Sequence, residues 1–172
     1  MKILVLAKRY TSGKDSVKDN FGRVLRLFEQ VANKHDVTII ESDHVKKESF
    51  ETKIGKMKVK VVPFSPISLL KYYRFVKNEA IKGKYDLIYA TSHPIFGGIG
   101  LMIAKMHNFK FAYDVQDDYY AYTSNPLLLL MNDQATKRAY LVSTASYILA
   151  KQASVFHNNI IVIPNGYDPK IA

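Results

Sequence analysis

Cysteine is absent from this 172-residue chain, so neither a disulfide framework nor a thiolate metal or redox site can form. That is compatible with a reducing cytoplasm. Long apolar runs are also missing. The longest, Ile95–Ala104, contains three glycines and falls well short of the roughly 18 residues a membrane span needs. At the N-terminus, Ile3–Ala7 is too short for the core of a signal peptide, and Lys8-Arg9 follow at once. Low-complexity tracts do not occur. With 48% apolar and 23% charged residues, the composition is that of one globular domain with a real core. A cytoplasmic protein is expected, soluble or peripheral on the inner face of a membrane.

The familiar catalytic signatures are missing too. There is no Walker loop, no Gly-x-Gly-x-x-Gly, no His-Glu-x-x-His and no Gly-x-Ser-x-Gly. The pI is about 9.6, yet no helix-turn-helix, RNA-recognition or zinc pattern accompanies it, so nucleic acid is not an expected partner. Asp114, Asp117 and Asp118 are three acids in five residues, but no second carboxylate cluster exists to complete a hard-cation shell, and no metal is expected.

What is present is an alternation. Strand-like runs at Lys2–Ala7, Val37–Glu41, Lys58–Phe64, Tyr85–Thr91, Phe109–Val115, Tyr140–Ser143 and Ile160–Ile163 are separated by helical patterns. The helices are expected around Phe21–Ala32, over Ser68–Lys82 with Ser68 as cap and Gly83 as terminator, over Ile95–His107, from Pro126 to Ala139, and over Ala145–Ala153. Residues 42–58 fit an exposed loop or a weak hairpin. This order predicts an α/β fold: a Rossmann-like, open, doubly wound sheet, mostly parallel, with helices on both faces. Such sheets bind ligands beyond the carboxyl ends of their strands.

The strand exits therefore hold the candidates. Thr11–Asn20 leads into Phe21-Gly22-Arg23, where backbone N–H groups can meet an anion, or where a plain surface loop sits. His93, after the fourth long run, suits general acid–base chemistry or the capping of a helix. Gly97, Gly98 and Gly100 suit close packing of that helix on the sheet. Asp114–Asp118 with Tyr119, Tyr120 and Tyr122 suits sugar hydroxyls and stacking. The net charge of +10 lies entirely in residues 1–84, with 19 Lys/Arg against 9 Asp/Glu. It fits an anionic partner or a solvated Lys-rich surface. Helix Ser68–Lys82 interleaves Lys71, Arg74 and Lys77 with Tyr72, Tyr73 and Phe75. It fits an anionic membrane surface, or a helix that turns Leu69, Tyr72, Tyr73, Val76 and Ala80 to the sheet while its lysines face water.

Several segments together resemble the N-terminal, acceptor-side domain of a GT-B fold glycosyltransferase, of the retaining family 4 type. Arg138-Ala139-Tyr140-Leu141-Val142-Ser143-Thr144-Ala145-Ser146 is similar to the family's "Arg-Ala-Asp-x-Val-x-x-x-Ser". Ile160–Asp168 is similar to its "Ile-x-Val-Ile-Pro-Asn-Gly-Val-Asp" hinge. Tyr85–Ser92 resembles the "Asp-x-Ile-His" strand, and Phe111–Asp117 the strand ending in "Asp-Val-Arg-Asp".

The resemblance implies one Rossmann-like domain over 1–172, with a C-terminal donor-binding domain absent from the chain. It implies transfer of a sugar, of the hexosyltransferase type, from a nucleotide-sugar to a polysaccharide or lipid-linked acceptor. No cofactor is implied beyond that donor substrate, and the chain alone is expected to be inactive. Gly22, with Phe21 and Arg23, would approach the donor phosphates. Gln116 and Asp117 would face the sugar or acceptor with Tyr119 and His93, giving Gln116, Asp117 and His93 the catalytic positions. Asn165, Gly166 and Asp168 would line the hinge. Gln116 stands where many members carry His and others Arg, and an amide cannot act as a general base. Tyr140 and Tyr147 replace the usual Asp and Glu. The rival reading is a non-catalytic Rossmann-like module that binds an anionic glycan or a separate donor-domain partner.

Overall fold

The computed structural model describes residues 1–91 and 93–165. In chain order the strands are β1 (Lys2–Lys8), β2 (Tyr10–Thr11), β3 (Lys14–Asp15), β4 (Asp36–Asp43), β5 (Phe50–Ile54), β6 (Met57–Pro63), β7 (Leu87–Thr91), β8 (Lys110–Val115), β9 (Leu141–Thr144) and β10 (Ile160–Val162). The helices are α1 (Arg23–Val31), α2 (Leu69–Gly83), α3 (Pro94–His107), α4 (Tyr119–Tyr122), α5 (Pro126–Arg138) and α6 (Tyr147–Ala153).

Eight strands form one sheet in the order β10-β9-β8-β7-β1-β4-β6-β5. Every pairing in it is parallel except β5 with β6. β1 lies inside this order because Ile3–Ala7 is apolar on both faces, and all five residues are buried. β5 closes one edge. Its Glu51 and Lys53 alternate outward, which blunts that edge. The segment 42–58 thus resolves as a hairpin: β4 runs on to Asp43, and Gly55 (φ 55°) makes the turn from β5 into β6.

Ile3, Val5, Ala7, Val37 and Ile39 build one face of the sheet, which α1 covers with Leu25 and Phe28. Leu4, Leu6, Ile40, Ile88 and Tyr113 build the other, covered by α2, α3, α5 and α6. On α2 the buried residues Tyr72, Val76 and Ala80 recur every four residues, the spacing of a single helical stripe. Gly97 and Gly100 bring α3 onto the sheet. A Cβ at Gly97 would sit 2.7 Å from the Tyr113 ring, and one at Gly100 would sit 2.9 Å from Phe111.

Two expected helix ends differ. Ser68 precedes α2 but does not cap it through its side chain, because its hydroxyl turns back to Ser65 at 3.0 Å. The left-handed residue that ends α2 is Lys84 (φ 51°), not Gly83. Gly83 is needed for space, since a Cβ there would meet the Tyr85 ring at 2.1 Å. The Tyr119–Tyr122 stretch, expected as loop, forms the short helix α4. Asp118 caps it by accepting from the Tyr120 N–H.

Candidate functional site

From β1 the chain crosses to β4 on one side, and it returns to the opposite side of β1 through β7. Between β1 and β7 the winding reverses, and sheets of this kind take ligands there, beyond the carboxyl ends of the strands. Four segments reach this rim: the loop after β1, the turn after β4, the start of α3, and the chain after β8.

The loop after β1 is anchored from beneath. Arg9 is completely buried and donates to both carboxylate oxygens of Asp15 (3.0 and 2.7 Å), to Asp43 (2.9 Å) and to Glu48 (2.6 Å). It thereby joins the β2–β3 hairpin to the turn after β4. Asp43 also accepts from the N–H groups of Val45, Lys46 and Glu48. These backbone bonds, together with others nearby, hold its carboxyl below the usual range against the opposing effect of burial.

Beyond the hairpin, Gly22 (φ 110°, ψ 154°) starts α1 in backbone territory open only to glycine. No side chain caps this helix, and a Cβ at Gly22 would meet nothing within 4 Å. The first N–H groups of α1 have no hydrogen-bond partner among the described residues, an arrangement suited to an anion. Phe21 packs beneath the Lys14 ammonium, 4.5 Å from the ring centroid.

Arg23 points away from that opening. It donates to both oxygens of Asp114 (3.4 and 3.2 Å), to the Ile163 carbonyl, and to the Asn165 side chain (3.4 Å). Asp114 is nearly fully buried at the end of β8 and also accepts from Thr91 (3.0 Å), Ser143 (2.7 Å) and the Gln116 amide (2.6 Å). Tyr89 extends the chain of bonds by meeting Ser143 at 2.6 Å. One carboxylate thus gathers donors from α1, β7, β9 and the chain just after β8.

The sequence candidates fall into two groups. Gln116 and Arg23 belong to the Asp114 network, and Asn165 joins it through Arg23. His93, Asp117 and Tyr119 stand together on the open side. His93 caps α3 by accepting from the Ile95 N–H at 3.2 Å, and its ring lies 6.0 Å from those of Phe96 and Tyr119. Burial, then the charges of Lys8 and His44, lowers its pKa. Asp117 opens to solvent; partial burial of its carboxyl raises its pKa, while Lys8 acts in the opposite sense. Gly166 and Asp168 lie outside the described residues. Asp118 is committed to capping α4 and to Gln152 (2.8 Å), so the three acids of this segment diverge.

Sequence reading placed Lys8 and Arg9 directly after the first strand and Ser143 in the family-like segment without giving them roles, and it passed over His44. The usable signal was period-two alternation past the end of β1, which sends Lys8 and Arg9 to opposite faces. A cleft of about 510 Å³ lies elsewhere, near the amino ends of β1, β4 and β6. Its Lys60 is already paired with Glu51 and Glu79, both at 3.1 Å, which leaves it little call for an external anion.

No family profile matches the sequence, and no curated protein matches it. Solved structures do match in fold. The Anabaena protein HepE in complex with UDP-glucose aligns with a TM-score of 0.66 at 21% identity, over 98% of this chain and 44% of that one. E. coli trehalose-6-phosphate synthase bound with UDP-2-fluoro glucose gives 0.61 at 10%, over 99% and 50%. Arabidopsis thaliana UGT89C1 complexed with UDP gives 0.59 at 13%, over 99% and 55%. The chain spans about half the length of these structures. Its α/β sheet is thus a Rossmann-like fold of the kind found in GT-B glycosyltransferases.

Proposed function

We propose that this chain forms the acceptor-side half of a retaining glycosyltransferase of the family 4 type, moving a hexosyl group from a nucleotide-sugar to a polysaccharide or lipid-linked acceptor. The observation that carries the reading is the uncapped start of α1. In a fold shared with UDP-bound glycosyltransferases, Gly22 holds open a backbone anion site at the switch point of the sheet. There the N–H groups would stabilise charge on the departing diphosphate, the kind of preorganised electrostatic help that dominates such transfers. Arg23, fixed on Asp114, would orient the helix rather than touch the donor. His93 and Asp117 would meet the acceptor. A second domain would supply the remaining donor contacts, and the chain alone would be inactive.

The acceptor class rests on α2. Ile67 just before it is 99% exposed and Leu70 is 57% exposed, and both stand beside the exposed Lys71 and Arg74. Apolar tips flanked by cations suit an anionic lipid surface. Among the described residues no helix is long and apolar enough to cross a membrane.

The test is donor consumption, with the anomeric configuration of the product read by NMR. This chain is compared with a form joined to the segment that follows it in its gene. Turnover with retention by the longer form alone is the expected result; no turnover by either form sinks the reading. Flotation with anionic against neutral liposomes tests the membrane part, which falls if the two bind equally.

A further inference from the structure

Lys8 and Arg9 leave β1 side by side, and the pleat sends them to opposite faces. Arg9 is taken up by carboxylates. Lys8 follows Leu4 and Leu6 on the other face, and among the described residues its ammonium has no hydrogen-bond or ion-pair partner. Ser42 stands beside it in the sheet register, and the Ser42 hydroxyl is buried without a partner. Two residues on, His44 is exposed and makes one ring contact, an edge to Tyr10 at 5.9 Å.

Across the switch point is His93. Its Nδ1 accepts from Ile95, so the neutral ring carries its proton on Nε2, and that N–H has no partner among the described residues. Phe96, one turn into α3, packs on Tyr72 at 5.7 Å. The Tyr72 hydroxyl is a second buried, unpartnered polar atom on this face. Among the described residues Asp117 has no hydrogen-bond partner, and it lies within electrostatic reach of Lys8.

We infer that the exits of β1, β4 and β7 form a subsite for a phosphate group carried by the acceptor, with Lys8, His44 and the Nε2–H of His93 as donors and Asp117 beside them to accept from an acceptor hydroxyl. This rests on the acceptor-side reading above. Three donors on three separate segments match the several oxygens of a phosphate better than the two of a carboxylate. The start of α3 adds its positive end. Ser42 supplies a buried hydroxyl beside Lys8. The carboxylates closest in sequence do not compete, because Asp43 is already held by Arg9 and backbone N–H groups.

The site carries its own reporter. Burial, then the Lys8 charge, lowers the pKa of both His44 and His93; Asp43 opposes this at His44, and His44 adds to it at His93. Tyr119 is the other titratable group against His93. A bound phosphate offsets the Lys8 charge, so both rings titrate at higher pH and binding takes up protons.

The test follows the histidine ring signals of the chain by NMR during titration with inorganic phosphate, with chloride at matched ionic strength as control. The expected result is a saturable shift of His44 and His93, with both titration midpoints moved upward. Lys8→Met is expected to weaken binding by about tenfold or more. Lys8→Arg, which keeps the charge, should retain most of it. Equal responses to chloride and phosphate, or a parent-like Lys8→Met whose other signals are unchanged, overturn the inference.

Two competition arms separate the sources. Displacement by a hexose 6-phosphate supports a free sugar phosphate. Displacement by phosphatidylcholine vesicles doped with a polyprenyl phosphate supports a lipid-linked one. A phosphate response that neither displaces overturns the acceptor assignment. Phosphate binding that Lys8→Met abolishes supports the site whatever the donor assay gives, whereas donor turnover without any phosphate response removes this inference alone.

Discussion

Arg23 in the first turn of α1 donates to both carboxylate oxygens of Asp114 at the end of β8, which lies 91 residues further along the chain. The same guanidinium reaches the Ile163 carbonyl and the Asn165 side chain. The helix that opens the proposed donor site and the segment that resembles the hinge therefore share one bolt.

Removing that bolt should be costly. Arg23→Ala leaves Asp114 buried, with its neutral donors but without its cation. A loss of about 2–3 kcal/mol is expected, in the range of charge-assisted hydrogen bonds. Urea unfolding should show a lower midpoint at unchanged slope. Asp114→Asn should lose a similar amount.

Arg9 sits among three carboxylates with its own side chain wholly buried. Arg9→Met keeps the volume but strands Asp15 and Asp43. A cost of about 3–5 kcal/mol is expected from the uncompensated charges. Faster amide exchange across the β2–β3 hairpin should accompany it, and unchanged exchange there would contradict the anchoring role.

Glu41 is buried on β4 with one carboxylate oxygen unpaired. Burial, reinforced by Asp15, pushes its pKa up to about 8, while Ser16 and Arg9 act the other way. Because the folded value exceeds the unfolded one, the folded chain holds this proton longer, and stability falls as pH rises from about 4.5 to 8. A shift of that size corresponds to a fall on the order of 4 kcal/mol. Glu41→Gln should flatten the profile and exceed the parent in stability at pH 8, as read by melting across that window.

Gly22→Ala tests the opening of α1. Space is available for the new methyl, but the backbone conformation is not, so a loss of about 1–3 kcal/mol is expected. If the two-domain protein binds its donor here, the variant should also weaken nucleotide-sugar binding in calorimetry. A variant with parent-like stability would mean that φ at this position relaxes freely.

Most of the sheet was legible because its strands are apolar runs buried on both faces, and such runs need no partner information to be seen. The glycines of α3 were readable for a similar reason: an apolar helix spaced by Gly97 and Gly100 has to lie close to something. Residues 42–58 left a loop and a hairpin open, because β5 is half exposed and its alternation is carried by Glu51, Thr52 and Lys53. Ser68 misled because a serine before a helix usually caps it, and the competing bond to Ser65 is a matter of local geometry. The candidate site was legible at Gly22, His93 and Asp117, which stand at strand or helix ends. It was not legible at Arg9, and at Asp114 the sequence showed a strand-exit carboxylate but not the network that it gathers. One partner of each, Asp43 for Arg9 and Arg23 for Asp114, lies 34 and 91 residues away, and sequence spacing carries no trace of such distances.

The pleat of β1 has a consequence for how this protein tolerates change. It sorts two neighbouring cations by parity alone: one becomes a rivet inside the domain, the other a half-buried cation at its rim. Charge-conserving substitutions at either position are therefore unequal, although the dipeptide Lys8-Arg9 looks redundant on paper. A single-residue deletion within Ile3–Ala7 would exchange the two roles while leaving the composition of the rim untouched. The domain would then carry a guanidinium on the face where Lys8 now stands and have to place a lysine on the buried face that α1 covers.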